Sequence, residues 1–126
     1  MYRVDISNEN GYNFKVRSDG YEFTIDAREG AITPPATLLA GLGSCVGVYL
    51  RKYAESAKLA LGAFNVSVEA QLSKDAPFRF SRINVSVDLK GQEFDERRQK
   101  AMLEFVKNCP VHNTLKNDPV VEIKIA

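Results

Sequence analysis

Between Ala36 and Leu50 the chain carries no charged residue. The run is shorter than the ~20 apolar residues a membrane-spanning helix needs, and Arg51-Lys52 closes it. It is therefore expected to be a helix buried within a protein core. Thr33-Pro34 supplies its start, with threonine as N-cap and proline at the first helical position, and the helix is expected to run to about Ala60. The first half is apolar all round. Beyond Arg51 it turns amphipathic, with Tyr53, Ala57 and Leu61 on one stripe and Lys52, Glu55 and Lys58 off it. Gly41, Gly43 and Gly47 each cost roughly 1 kcal/mol of helix propensity against alanine, which predicts a close packing partner.

The flanking segments read as strands. Tyr2 to Ser7, Gly11 to Arg17 and Tyr21 to Ala27 are separated by Asn8-Glu9-Asn10 and Ser18-Asp19-Gly20, which carry turn chemistry. In the third, Tyr21, Phe23 and Ile25 alternate with Glu22, Thr24 and Asp26, as a sheet with one dry face requires. Phe64, Val66, Val68, Ala70 and Leu72 alternate likewise, as do Ile83, Val85, Val87 and Leu89, with Asp75-Ala76-Pro77 between them, which makes a second hairpin. Asp95 is expected to cap a helix to about Asn108 that turns Ala101, Met102, Phe105 and Val106 inwards, and Val121, Ile123 and Ile125 suggest a final strand. The order predicts an α+β fold, with antiparallel sheets about a long buried central helix, in one domain over residues 1–126. The glycines of the central run lack GxGxxG spacing and a P-loop lysine, so no nucleotide loop is expected.

Charge narrows the partners. Lys plus Arg (17) nearly cancels Asp plus Glu (16), so no global field draws the chain to nucleic acid or to an anionic membrane. The N-terminus MYRVDISNEN has no basic segment leading into an apolar run, which predicts a cytoplasmic protein. In that compartment two cysteines argue against a structural disulfide and leave room for a transient, catalytic one. Cys45, Cys109 and the only histidine, His112, lack the spacing of a four-ligand site, so no metal is expected.

Cys109-Pro110 carries the strongest local signal. A residue before proline is pushed out of the α region while proline suits the first helical position, so Cys109 belongs at an N-cap. Free amides from Val111 and His112 would favour a thiolate there; the plainer reading is a cysteine that ends one helix and starts another. Cys45 lies more than two turns into the apolar helix, where a cysteine usually behaves as a small hydrophobe and burial raises its pKa. Its activation would need a cation from elsewhere, with Arg17, Arg28, Arg79 and Arg82 as candidates.

Thr33-Pro34-Pro35-Ala36-Thr37-Leu38-Leu39-Ala40-Gly41-Leu42-Gly43-Ser44-Cys45, followed by Cys109-Pro110-Val111-His112-Asn113-Thr114-Leu115, resembles the two signature segments of the OsmC/Ohr family. Element order resembles that family's layout over essentially the whole chain. The resemblance implies an intertwined homodimer with active sites at the subunit interface and a thiol peroxidase that reduces organic hydroperoxides, with hydrogen peroxide as a further substrate. It implies attack by Cys45, a sulfenic acid, and an intrasubunit disulfide to Cys109. A dithiol, in the Ohr branch a lipoylated protein, would regenerate the enzyme, and no organic cofactor or metal would be required. In the Ohr pattern a glutamate ten residues before the first cysteine pairs with an N-terminal arginine that activates the thiolate. Here that position is Pro35; Glu29 is a substitute acid, and Arg17 stands in for the arginine. The departure points to a broader OsmC-like branch. The alternative function is a non-enzymatic dimer of the same fold that binds a small apolar or thiol ligand.

Overall fold

The computed structural model describes residues 1–28 and 30–126. They form two compact units, Met1–Ala40 and Gly41–Ala126.

The first unit holds a three-stranded antiparallel meander, β1 (Asp5–Ser7), β2 (Asn13–Ser18) and β3 (Tyr21–Asp26), in the order β1-β2-β3. Between β2 and β3 the ladder pairs Ser18 with Tyr21 and leaves Asp19 (φ 48°) and Gly20 (φ 83°) as a two-residue turn. Both central residues have positive φ, the type I′ geometry that matches strand twist, and aspartate and glycine are the residues that tolerate it. Val16 is buried, and it pairs with Phe23. The first strand starts at Asp5, not Tyr2, since its ladder with β2 ends at the Asp5–Arg17 pair. The second starts at Asn13 because Gly11, at φ 60°, still belongs to the preceding turn.

The long helix α1 (Pro34–Ser56) opens as its sequence predicts. Thr33 Oγ1 accepts from the Ala36 amide at 3.3 Å, and the Thr33 carbonyl accepts from both the amide and the hydroxyl of Thr37. It stops at Ser56, short of Ala60. Lys58 takes a left-handed φ of 53°, its amide bonds Glu55 O, and the Leu59 amide reaches back to Ala54 O at 2.8 Å. That pair of bonds is a Schellman cap, and it folds Leu59 back onto the core instead of extending the helix.

In the second unit β4 (Asn65–Leu72) and β5 (Phe80–Asp88) form an antiparallel hairpin with Val66 opposite Val87 and Ala70 opposite Ile83. Helices α2 (Glu96–Val106) and α3 (Pro110–Lys116) follow. Asp95 caps α2 by accepting from the Arg98 amide at 2.7 Å. The core gathers Leu42, Val46 and Leu50 from α1 with Met102 from α2, packed by Phe64, Val68, Ile83, Val87, Val106 and Val111. Each such side chain contributes about 1.5–3 kcal/mol when fully buried.

Two of the three glycines have the close neighbour expected of them. A Cβ on Gly43 would sit 2.9 Å from Val68 Cγ2, and one on Gly47 would sit 3.6 Å from the Phe64 ring, whereas Gly41 has open space. Val48, on the side of α1 away from Leu42, Val46 and Leu50, is nearly half exposed.

The expected final strand does not form. Val121, Ile123 and Ile125 alternate correctly, yet the residues after Lys116 pair with no strand among the described residues, and all three side chains are largely exposed. Alternation prescribes a face to bury but does not choose the edge to bond, and the outer edges of β4 and β5 stay unpaired among the described residues.

Candidate active site

Two elements bring the cysteines together. Cys109 is the N-cap of α3, with φ −59° and ψ 120°, and Pro110 at the first helical position has no amide to satisfy. The His112 N–H donates to Cys109 Sγ at 3.4 Å, and the Val111 backbone is near enough to Cys45 to favour its thiolate. The Cys109 thiol is near enough to Cys45 to act on its ionisation. Cys109 is completely buried, and Cys45, on α1 between Leu42 and Val46, is half-buried. Both are free thiols.

The electrostatics of Cys45 are contested. Burial is the largest influence and pushes its pKa above the ordinary thiol value, because a thiolate loses hydration there. Cys109 pushes the same way; the Val111 backbone and the Lys52 ammonium push back. The net direction is up.

The candidate cations sit as follows. Arg17, on β2, is half exposed; it donates to Ser7 Oγ at 3.3 Å and faces Glu22 at 3.9 Å across the ladder. An ion pair this exposed contributes little. Arg28 lies over the Tyr12 ring at 4.0 Å, Arg79 donates to the Pro77 carbonyl at 2.8 Å, and Arg82 lines a groove in the second unit. Pro35, where the Ohr pattern has glutamate, occupies the first turn of α1, and Glu29 lies outside the described residues. The His112 ring turns to Asn113, with Nδ1 3.3 Å from Oδ1.

Two influences on Cys45 lie outside the sequence reading: the Val111 backbone, whose amide is expected to serve Cys109, and Lys52, which is exposed as its place off the Tyr53 stripe predicts. The available signal for Lys52 was its position seven residues after Cys45, two turns on along one face.

A groove of about 920 Å³ opens beside the core, floored by Leu42, Val46, Val85 and Met102 and lined also by Arg82, Lys100, Lys116 and the Lys107–Glu104 ion pair. Among the described residues no three His, Cys, Asp or Glu side chains cluster to hold a metal, and no helix is long and apolar enough to cross a membrane.

Solved structures share this arrangement of elements. An OsmC-like protein from Mycoplasma pneumoniae is 24% identical with a TM-score of 0.82, covering 94% of this chain and 89% of its own. An organic hydroperoxide resistance protein from Elizabethkingia anophelis is 18% identical with a TM-score of 0.68, covering 94% and 91%. An organic hydroperoxide resistance protein OsmC from Legionella pneumophila is also 18% identical, with a TM-score of 0.67 and coverage of 94% and 92%. No curated protein is significantly similar in sequence. The description OsmC-like protein matches residues 27–124, a span that holds both cysteine segments and everything between them, and the chain belongs to the OsmC-like family.

Proposed function

We propose that the protein is a thiol peroxidase that reduces organic hydroperoxides, and hydrogen peroxide as a further substrate, with Cys45 attacking and Cys109 resolving. What supports this reading is that Cys109, at the start of α3, is near enough to Cys45 on α1 to bear on its ionisation, so the two thiols are neighbours. The Cys45 thiolate attacks one oxygen of the hydroperoxide and the O–O bond breaks. The leaving alkoxide takes a proton to become an alcohol, and Cys45 becomes a sulfenic acid. Cys109, as thiolate, attacks that sulfur and expels hydroxide, giving an intrasubunit disulfide that an external dithiol, such as a lipoylated protein, reduces. No resident cofactor enters the cycle. Arg17 is proposed as a cation that favours the Cys45 thiolate.

Support from the relatives is coarser. Two of the solved structures are described as organic hydroperoxide resistance proteins, at identities that establish fold alone.

The test is consumption of an organic hydroperoxide with dithiothreitol as reductant. Cys45→Ser should abolish it, whereas Cys109→Ser should permit one oxidation that stalls at sulfenic acid or proceeds to sulfinic acid. First oxidation surviving in Cys45→Ser but not in Cys109→Ser would transfer the attacking role to Cys109.

A second reading is a dimer that binds a small apolar or thiol ligand without turnover. Two observations favour it, the elevated Cys45 pKa and the groove with its apolar floor. Saturable binding of an apolar ligand by a protein that consumes no hydroperoxide would decide for it.

A further inference from the structure

Cys45, Tyr49 and Lys52 stand at i, i+4 and i+7 on α1, so they share one stripe of the helix. From Cys45 to Lys52 the backbone rises ~10 Å, too far for a short side chain to span. Helical side chains lean towards the N-terminus, however, and Lys52 lies back along the stripe with its Nζ 4.7 Å from the centroid of the Tyr49 ring. That ring is itself braced by Phe105, at 6.1 Å between centroids. An exposed lysine would otherwise sample many rotamers; the aromatic face restricts this one. Its charge is also available, since among the described residues the ion pairs are Arg3–Asp5, Arg17–Glu22 and Lys107–Glu104.

We infer that Lys52, seated on Tyr49, is a positioning residue that holds a positive charge one turn above Cys45 and stabilises its thiolate. The inference rests on the proposal that Cys45 is the attacking thiol. Pro35 gives it a chemical motive: without the glutamate that fixes the family's arginine, a cation carried by α1 itself needs no second element to place it. The titratable groups acting on Cys45 are Cys109, from the start of α3, and Lys52 on its own helix, and Lys52 is the one that lowers its pKa.

The experiment is the pH profile of Cys45 alkylation by iodoacetamide in a Cys109→Ser background, at low and high salt, with hydroperoxide consumption by the unsubstituted protein measured in parallel. Lys52 is exposed, so replacing it leaves the core intact. Lys52→Met should slow alkylation at pH 7 about threefold at low salt with the alkaline limiting rate unchanged, and the difference should shrink at 1 M salt, as an exposed charge requires. Lys52→Arg should restore the profile, and Lys52→Glu should shift it further to alkaline pH. Superimposable profiles for Lys52→Met and its parent would overturn the inference, as would a defect that Lys52→Arg fails to rescue. Consumption with a Lys52-independent profile rejects this inference alone; a Lys52-dependent profile without consumption rejects the peroxidase reading and leaves the charge coupling standing.

Discussion

Cys45 is a thiol whose surroundings oppose the ionisation that its proposed chemistry needs. Because its pKa is raised, the rate of hydroperoxide reduction should climb as pH rises from 7 towards 9, where a free thiol of pKa ~8.5 would already be levelling off. A profile that levels off below pH 7 would contradict it. The same shift has a stability consequence of fixed sign. The folded state holds the proton more tightly than the unfolded chain, so this contribution is present below the unfolded thiol pKa of ~8.5 and is lost as pH rises through the folded value. Thermal unfolding of the parent and of Cys45→Ser should therefore converge towards alkaline pH. If Arg17 adds to the field, Arg17→Ala should move the alkylation profile of Cys45 to higher pH, and an unchanged profile would remove Arg17 from the site. Much of this site is legible in the sequence: the Cys-Pro step alone places Cys109 at an N-cap, because proline fixes both its own conformation and its neighbour's. What the sequence does not reveal is the three-dimensional assignment of the amides. Local reasoning gives both free N–H groups of α3 to Cys109, whereas the His112 N–H is the one that donates to its sulfur and the Val111 backbone acts on Cys45.

Among the elements, α1 governs the site, and its glycines separate propensity from packing. Gly43→Ala would press a methyl group within 2.9 Å of Val68 Cγ2, and a β-branched valine in a strand has little freedom to yield. Overpacking of this kind costs typically 1–3 kcal/mol against a helix-propensity gain of about 1 kcal/mol, so the substitution should be net destabilising. Gly47→Ala meets the Phe64 ring at an ordinary 3.6 Å and should be neutral or stabilising. Urea unfolding of both variants checks the contrast, and a stabilised Gly43→Ala would show that α1 and β4 are less closely packed than described. The sequence announces a close approach but cannot say which glycine meets it. It likewise reveals where α1 begins and misjudges where it ends, because the Schellman cap uses Lys58 in a conformation usually given to glycine. The C-terminal alternation of Val121, Ile123 and Ile125 pairs with no strand among the described residues, although β4 and β5 each keep a free edge.

For the molecule as a whole, exposed apolar surface is the dominant fact. A folded monomer of 14.0 kDa exposes ~6,700 Å² by the usual scaling, whereas this chain exposes 10234 Å², with Val120, Val121, Ile123 and Ile125 each at least 74% accessible. Surface of that kind marks an interface, and we expect a homodimer in sedimentation at micromolar concentration, which removal of residues 119–126 should weaken. A monomer would remove the proposed interface. The central claim, that one chain supplies both halves of a peroxide-reducing thiol pair, is tested most directly by intact mass after one equivalent of an organic hydroperoxide, read without reductant. The expected result is a loss of about 2 Da per chain, no covalent dimer under denaturing conditions, and a single Cys45–Cys109 linkage on peptide mapping. A chain that keeps both thiols, or one that gains oxygen on Cys45 while Cys109 remains free, would contradict it.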